Sequence, residues 1–101
     1  MTSTFRYTIE TLDWRGTLIQ IGYAADYTGN DVIAHIEVET QEPARAPLPI
    51  TETGYRSHFL GRSIVEEMGG PSAYVLAWLE EAAKSQHWAF IEAESRQLAL
   101  F

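Results

Sequence analysis

The sequence predicts an α+β fold, a small antiparallel β-meander of three to four strands followed by two or three helices packed on one face. Three observations predict it. The first half alternates apolar and polar residues with a period of two, the second half carries apolar residues at helical spacing, and a proline-rich segment divides the halves. A chain of 101 residues forms a single domain, long enough for one core. Its 46% hydrophobic content, with 12% aromatic residues, argues against global disorder.

Each element has its own warrant. Phe5, Tyr7 and Ile9 alternate with Arg6, Thr8 and Glu10, which is the pattern of a half-buried strand with the first three residues inward. Arg15-Gly16 is a turn, and a second strand follows over 17–23 with Leu18, Ile19, Ile21 and Tyr23. Thr28-Gly29-Asn30-Asp31 is another turn, built from residues that tolerate positive φ. Val32, Ala34, Ile36 and Val38 then alternate with Ile33, His35, Glu37 and Glu39. Strands joined by short turns form an antiparallel meander, with one face buried and one wet.

Residues 41–49 hold three prolines in seven positions, which no central strand or helix interior accommodates. They form an extended connection into 50–59, with a short edge strand near Tyr55–Phe59. Arg62 to Met68 then makes one or two helical turns, stopped by Gly69-Gly70. Pro71 suits the first position of the next helix, where its missing N–H costs nothing. Val75, Trp78, Leu79 and Ala82 recur at i, i+3, i+4 and i+7, a core-facing stripe, and Glu80 is spaced to pair with Lys84. Ser85 is placed to cap a last helix with Trp88 and Ile91 inward and Glu92 spaced to pair with Arg96.

Composition excludes several function classes. Without cysteine there is no disulfide, thiolate nucleophile or Cys-type zinc site. His35, His58 and His87 are far apart and lack the helical spacing of a zinc enzyme, so no metal or cofactor is expected. Fourteen acids oppose seven bases, of which only Lys84 is a lysine, and the arginines are dispersed. Clustered positive charge dominates affinity for nucleic acid, so direct DNA binding is not expected. The N-terminus does not read as a signal peptide, and no stretch is long and apolar enough to span a bilayer. The expectation is a cytoplasmic protein with no membrane contact, its oligomeric state left open.

The densest group of functional side chains is the run Thr51-Glu52-Thr53-Gly54-Tyr55-Arg56-Ser57-His58. A polar loop between rigid elements often carries function, and Glu52, Tyr55, Arg56 and His58 are the candidates for a secondary contact. A plain structural role competes with this, because Ser and Thr in loops bond their own backbone and a Glu52–Arg56 surface pair is worth only ~0–1 kcal/mol. With the preceding Ala46-Pro47-Leu48-Pro49, the run resembles a block in a family of small bacterial proteins of similar length that also end in Gln-Leu-x-Leu-Phe. That resemblance extends over most of the chain. It implies no particular activity, only that loop and tail belong to one functional plan.

Gln97-Leu98-Ala99-Leu100-Phe101 ends the sequence. Gln97 offers two donors and an acceptor to fix register at the rim of a groove. Leu98, Leu100 and Phe101 offer burial, at about 1.5–3 kcal/mol for each side chain removed from water. The pentapeptide resembles the clamp-binding motif of bacterial replication and repair proteins, Gln-Leu-Ser/Asp-Leu-Phe, departing from it only at Ala99. The resemblance implies a protein partner, the β sliding clamp that tethers polymerases to DNA. It divides the chain into a domain over 1–96 and a docking peptide over 97–101, with Gln97, Leu98, Leu100 and Phe101 as partner-binding residues. The expected function is that of a non-enzymatic accessory protein that modulates replication or repair. Three other readings compete: a last helical turn folded onto the core, an acidic DNA mimic that blocks a DNA-binding enzyme, and a small ligand-binding or enzymatic module centred on 51–58.

Overall fold

Four strands in sequential order make one antiparallel sheet: β1 (Thr8–Trp14), β2 (Thr17–Ala24), β3 (Ile33–Glu42) and β4 (Tyr55–Gly61). Three helices follow, α1 (Arg62–Glu67), α2 (Pro71–Ala82) and α3 (Gln86–Ala99). This is the α+β architecture expected from the sequence, seen in a computed structural model that describes residues 7–99.

The β1–β2 hairpin closes on Arg15 (φ 52) and Gly16 (φ 89), two left-handed residues whose twist matches the flanking strands. Asp13 Oδ1 accepts from the Gly16 N–H at 3.0 Å and fixes the turn. The resulting register sets Thr8, Glu10, Leu12 and Trp14 opposite Tyr23, Ile21, Ile19 and Thr17. Because Ile19 and Ile21 are fully buried under the helices, these partners share their face. The inward phase read from Tyr7 and Ile9 is therefore reversed: Leu12 and Trp14 face the core, and Ile9 stands on the opposite face. Glu10, on the helix side, accepts from Ser72 Oγ of α2.

Ile19, Ile21, Ile36 and Val38 of the sheet pack against Val65 of α1, Val75 and Leu79 of α2, and Trp88 of α3. Leu48 and Ile50 close one end of this core from the proline-rich connection. That connection is anchored by buried Thr40, whose N–H donates to Gly54 O at 2.9 Å and whose hydroxyl donates to Ala46 O at 3.0 Å. Gly54 sits at φ 82 against this anchor, and a Cβ there would lie 2.5 Å from Thr40 Oγ1 and 2.7 Å from the Arg45 backbone.

The helices follow the local signals. Pro71 opens α2, Val75 and Leu79 of its stripe are fully buried, and Trp78 and Ala82 pack beside them. Ser85 Oγ accepts from the Trp88 N–H at 3.0 Å, capping the start of α3. One surface pair differs from expectation. Lys84 lies 3.2 Å from Glu81, while Glu80 turns to Trp14 Nε1 at 2.8 Å and Arg15 Nη2 at 3.0 Å. A largely buried indole N–H that would otherwise lack an acceptor explains that choice. Among the described residues, no helix is long and apolar enough to cross a membrane.

Candidate functional site

The run at 51–58 does not fold as a loop that gathers its side chains. Residues 51–54 make a turn, and the rest joins β4, where alternation sends successive residues to opposite faces. Glu52 leaves the turn toward α3, its Oε2 2.7 Å from His87 Nε2. Arg56 and His58 face the helices. Tyr55, Ser57 and Phe59 face the other way, and Tyr55 and Phe59 are exposed. The four candidates Glu52, Tyr55, Arg56 and His58 therefore lie in three different environments.

On the helix side, Arg56 Nη1 donates to Ile50 O at 3.2 Å and its guanidinium stands 5.5 Å from the Trp78 ring. His58 packs 4.5 Å from Trp78, with Nε2 3.3 Å from the Tyr74 hydroxyl. Burial, then the Arg56 charge and His35, hold the His58 pKa below the usual imidazole value, which favours the neutral ring. This is a packed aromatic seam between β4 and α2.

The opposite face holds a group that was not singled out in the sequence. His35 of β3 is buried there, although among the described residues no helix packs on that side. Its Nδ1 lies 2.5 Å from the Tyr7 hydroxyl and its Nε2 lies 2.6 Å from Ser57 Oγ. The Phe59 ring stacks on the imidazole with centroids 4.3 Å apart, and the Tyr27 and Tyr7 rings close round it at 5.2 and 5.8 Å. Tyr7 and His35 are separated by the whole of β2, which presents only Gly22 and Ala24 there. A Cβ on Gly22 would meet the Tyr7 ring at 3.5 Å, in ordinary contact, so the tyrosine lies directly over this part of β2.

Beside this cluster, Tyr55 Oη donates to Glu37 Oε2 at 3.2 Å. Burial first, then the Glu37 charge, raise the pKa of both Tyr7 and Tyr55, so both phenols stay protonated near neutrality. A hydroxyl–imidazole–hydroxyl chain juxtaposes an alcohol and a base. Its third member is a neutral phenol rather than a carboxylate, so an imidazolium formed at His35 gains no charged partner from Tyr7.

Residues 7–88 match the family model described as KlcB third domain. This chain belongs to the KlcB third domain family. The match to the KlcB third domain covers the whole sheet, α1, α2 and the first turn of α3, and so includes Tyr7, His35 and Ser57. No curated protein and no solved structure matches the chain.

The match ends before the C-terminal pentapeptide. Helix α3 continues through Gln97, Leu98 and Ala99, further than the boundary at Arg96 drawn from the sequence. Trp88 and Ile91 hold α3 to the core, and Ala93 and Glu94 beyond them are exposed. The side chains of Gln97 and Leu98, and all of Leu100 and Phe101, lie outside the described residues, as does Arg96, the expected partner of Glu92.

Proposed function

We propose that this protein is a non-enzymatic accessory factor that docks on the bacterial β sliding clamp through residues 97–101 and modulates replication or repair in the cytoplasm. One observation carries the reading: a Gln-Leu-Ala-Leu-Phe sequence follows directly on the amphipathic stretch of α3 that Trp88 and Ile91 hold to the core. A peptide that follows this anchored stretch can engage a groove on a partner without unfolding the domain. Its first three residues extend the last turn of α3, where the final carbonyls have no helical partner and local opening costs little.

The folded part supports a binding role over catalysis. Both nitrogens of His35 are engaged by hydroxyls, and the nearby Glu37 carboxylate is engaged by Tyr55. The acids are also spread through both layers, with Glu37 and Glu39 on the sheet and Glu66, Glu67, Glu80 and Glu81 on the helices. A DNA mimic needs them arrayed along one surface.

The direct test is surface plasmon resonance with immobilised purified clamp, comparing full-length protein with a variant ending at Arg96. The expected result is micromolar binding by the first and none by the second. Absence of binding by full-length protein at high micromolar concentration removes the proposal.

A further inference from the structure

All three helices lie on one face of the sheet, and among the described residues no element packs on the other. That open face nonetheless exposes large apolar side chains among its polar ones. It carries four of the large hydrophobic residues exposed in this protein, Ile9 at 57%, Leu18 at 37%, Tyr55 at 39% and Phe59 at 52%. Antiparallel sheets with one solvated face normally present polar side chains there. Tyr55 and Phe59 stand four residues apart on the same side of β4, and exposed aromatic side chains grouped in this way mark an interaction site.

The patch is also rigid. His35, only 5% exposed, is held from both sides by Tyr7 and Ser57 and enclosed by Phe59 and Tyr27. A surface whose aromatic side chains are already fixed loses little conformational freedom when a partner arrives.

Charge selects the partner. Strand register puts Asp13, Glu37 and Glu39 on this face. No strand residue on it is Lys or Arg: Arg56 faces the helices, Arg15 stacks on Trp14 and pairs with Glu80, and Lys84 pairs with Glu81. Carboxylates set among aromatic rings, with no cation among the described strand residues of the face, favour guanidinium and ammonium groups by charge and by cation–π attraction. A second copy of this face would bring like charges together.

We propose that the open face of the sheet, centred on Phe59, Tyr55 and Glu37, is a docking surface for a polypeptide segment that alternates arginine or lysine with apolar side chains. The proposal does not rest on the C-terminal peptide.

The test is an amide-resolved NMR titration of the full chain with two synthetic peptides, one alternating Arg and Leu, the other alternating Glu and Leu. The Arg peptide should shift the amides of Ile9, Gly22, Glu37, Ser57 and Phe59, and the Glu peptide should shift none. Phe59→Ala should weaken the Arg peptide at least five-fold, and Glu39→Lys should do the same without touching the aromatic cluster. Both positions are accessible enough that the fold survives, which circular dichroism would check. Shifts confined to α1–α3, equal binding of both peptides, unchanged affinity in the two variants, or no saturable binding at millimolar peptide each overturn the proposal. So does concentration-dependent dimerisation in sedimentation that Phe59→Ala abolishes, because a second copy is then the occupant.

Discussion

His35 Nε2 lies 2.6 Å from Ser57 Oγ, joining the third strand to the fourth on the sheet face opposite the core. The same imidazole reaches the Tyr7 hydroxyl, so a single side chain links β3, β4 and the residue that leads into β1. Replacing His35 by Ala removes a buried ring from between Phe59 and Tyr27 and leaves two hydroxyls without their partner. The expected loss is about 2–4 kcal/mol. Ser57→Ala removes one bond at an exposed position and should cost about 0.5–1.5 kcal/mol. Urea unfolding of both variants and of the double variant measures the coupling. A His35→Ala cost no larger than that of an ordinary surface change would show that the cluster does not organise this face.

Gly54 is the second point of rigidity. Its φ of 82 and the 2.7 Å approach to the Arg45 backbone leave no room for a methyl group, and the backbone cannot yield as a flexible side chain would. Gly54→Ala should destabilise by about 1–3 kcal/mol or more and loosen the anchor at Thr40. Hydrogen exchange at the Thr40 amide, which donates to Gly54 O, should quicken by more than the global loss accounts for.

Local signals were legible in the sequence and long-range ones were not. Pro71, the Val75–Leu79 stripe and the Ser85 cap act within one or two helical turns, and each formed as read. The phase of β1 was misread, because the alternating Tyr7 and Ile9 serve an aromatic face while Leu12 and Trp14 serve the core. Only the register against Ile19 and Ile21 decides between the two faces. The His35 cluster was missed because its partners are 28 and 22 residues away. The one local hint was Gly22 and Ala24 in an otherwise bulky strand. The run at 51–58 looked like one site because its polar residues are adjacent in sequence, whereas strand alternation separates them.

Glu80 gives a pH-dependent prediction. The hydrogen bond from Trp14 Nε1, then that from Arg15, hold its carboxyl below the ordinary value of 4.5. A depressed folded pKa stabilises above the unfolded value, and the gain is lost as pH falls through the folded value. The gap in urea midpoint between the natural protein and Glu80→Ala should thus be full at pH 6 and should narrow below about pH 4.5. A gap that widens on acidification would contradict the assignment.

His58 titrates at a different pH for a different reason. Burial against Trp78 and the neighbouring Arg56 charge disfavour its protonated form. The unfolded chain takes up the proton first, near 6.5, so folding loses stability as pH falls from there toward the lower folded value and levels off beneath it. His58→Gln should remove that component of the pH profile while leaving the Glu80 component in place. NMR titration of the His58 ring should give a midpoint below 6.5. A higher midpoint would mean that the ring is stabilised in its charged form.

The last prediction concerns the tail. A synthetic peptide ending in Arg96-Gln97-Leu98-Ala99-Leu100-Phe101 should bind the β sliding clamp with a dissociation constant of roughly micromolar order. Three apolar side chains contribute about 4–9 kcal/mol in total before ordering costs, and a micromolar constant corresponds to about −8 kcal/mol. Leu100 and Phe101 changed together to Ala should abolish binding, since most of the apolar area lies there and buried aromatics dominate such interfaces. Gln97→Ala should cost about 0.5–1.5 kcal/mol through the lost register bonds. Ala99→Ser should change little, because the motif tolerates Ser at that position. Salt dependence should be slight, as no side chain among the five is charged. Circular dichroism of the full chain with and without 97–101 should show nearly the same melting temperature, because a docking peptide contributes little to the core that Trp88 and Ile91 join. A fall of many degrees would place Leu98 and Phe101 in the core instead and withdraw the tail as a ligand.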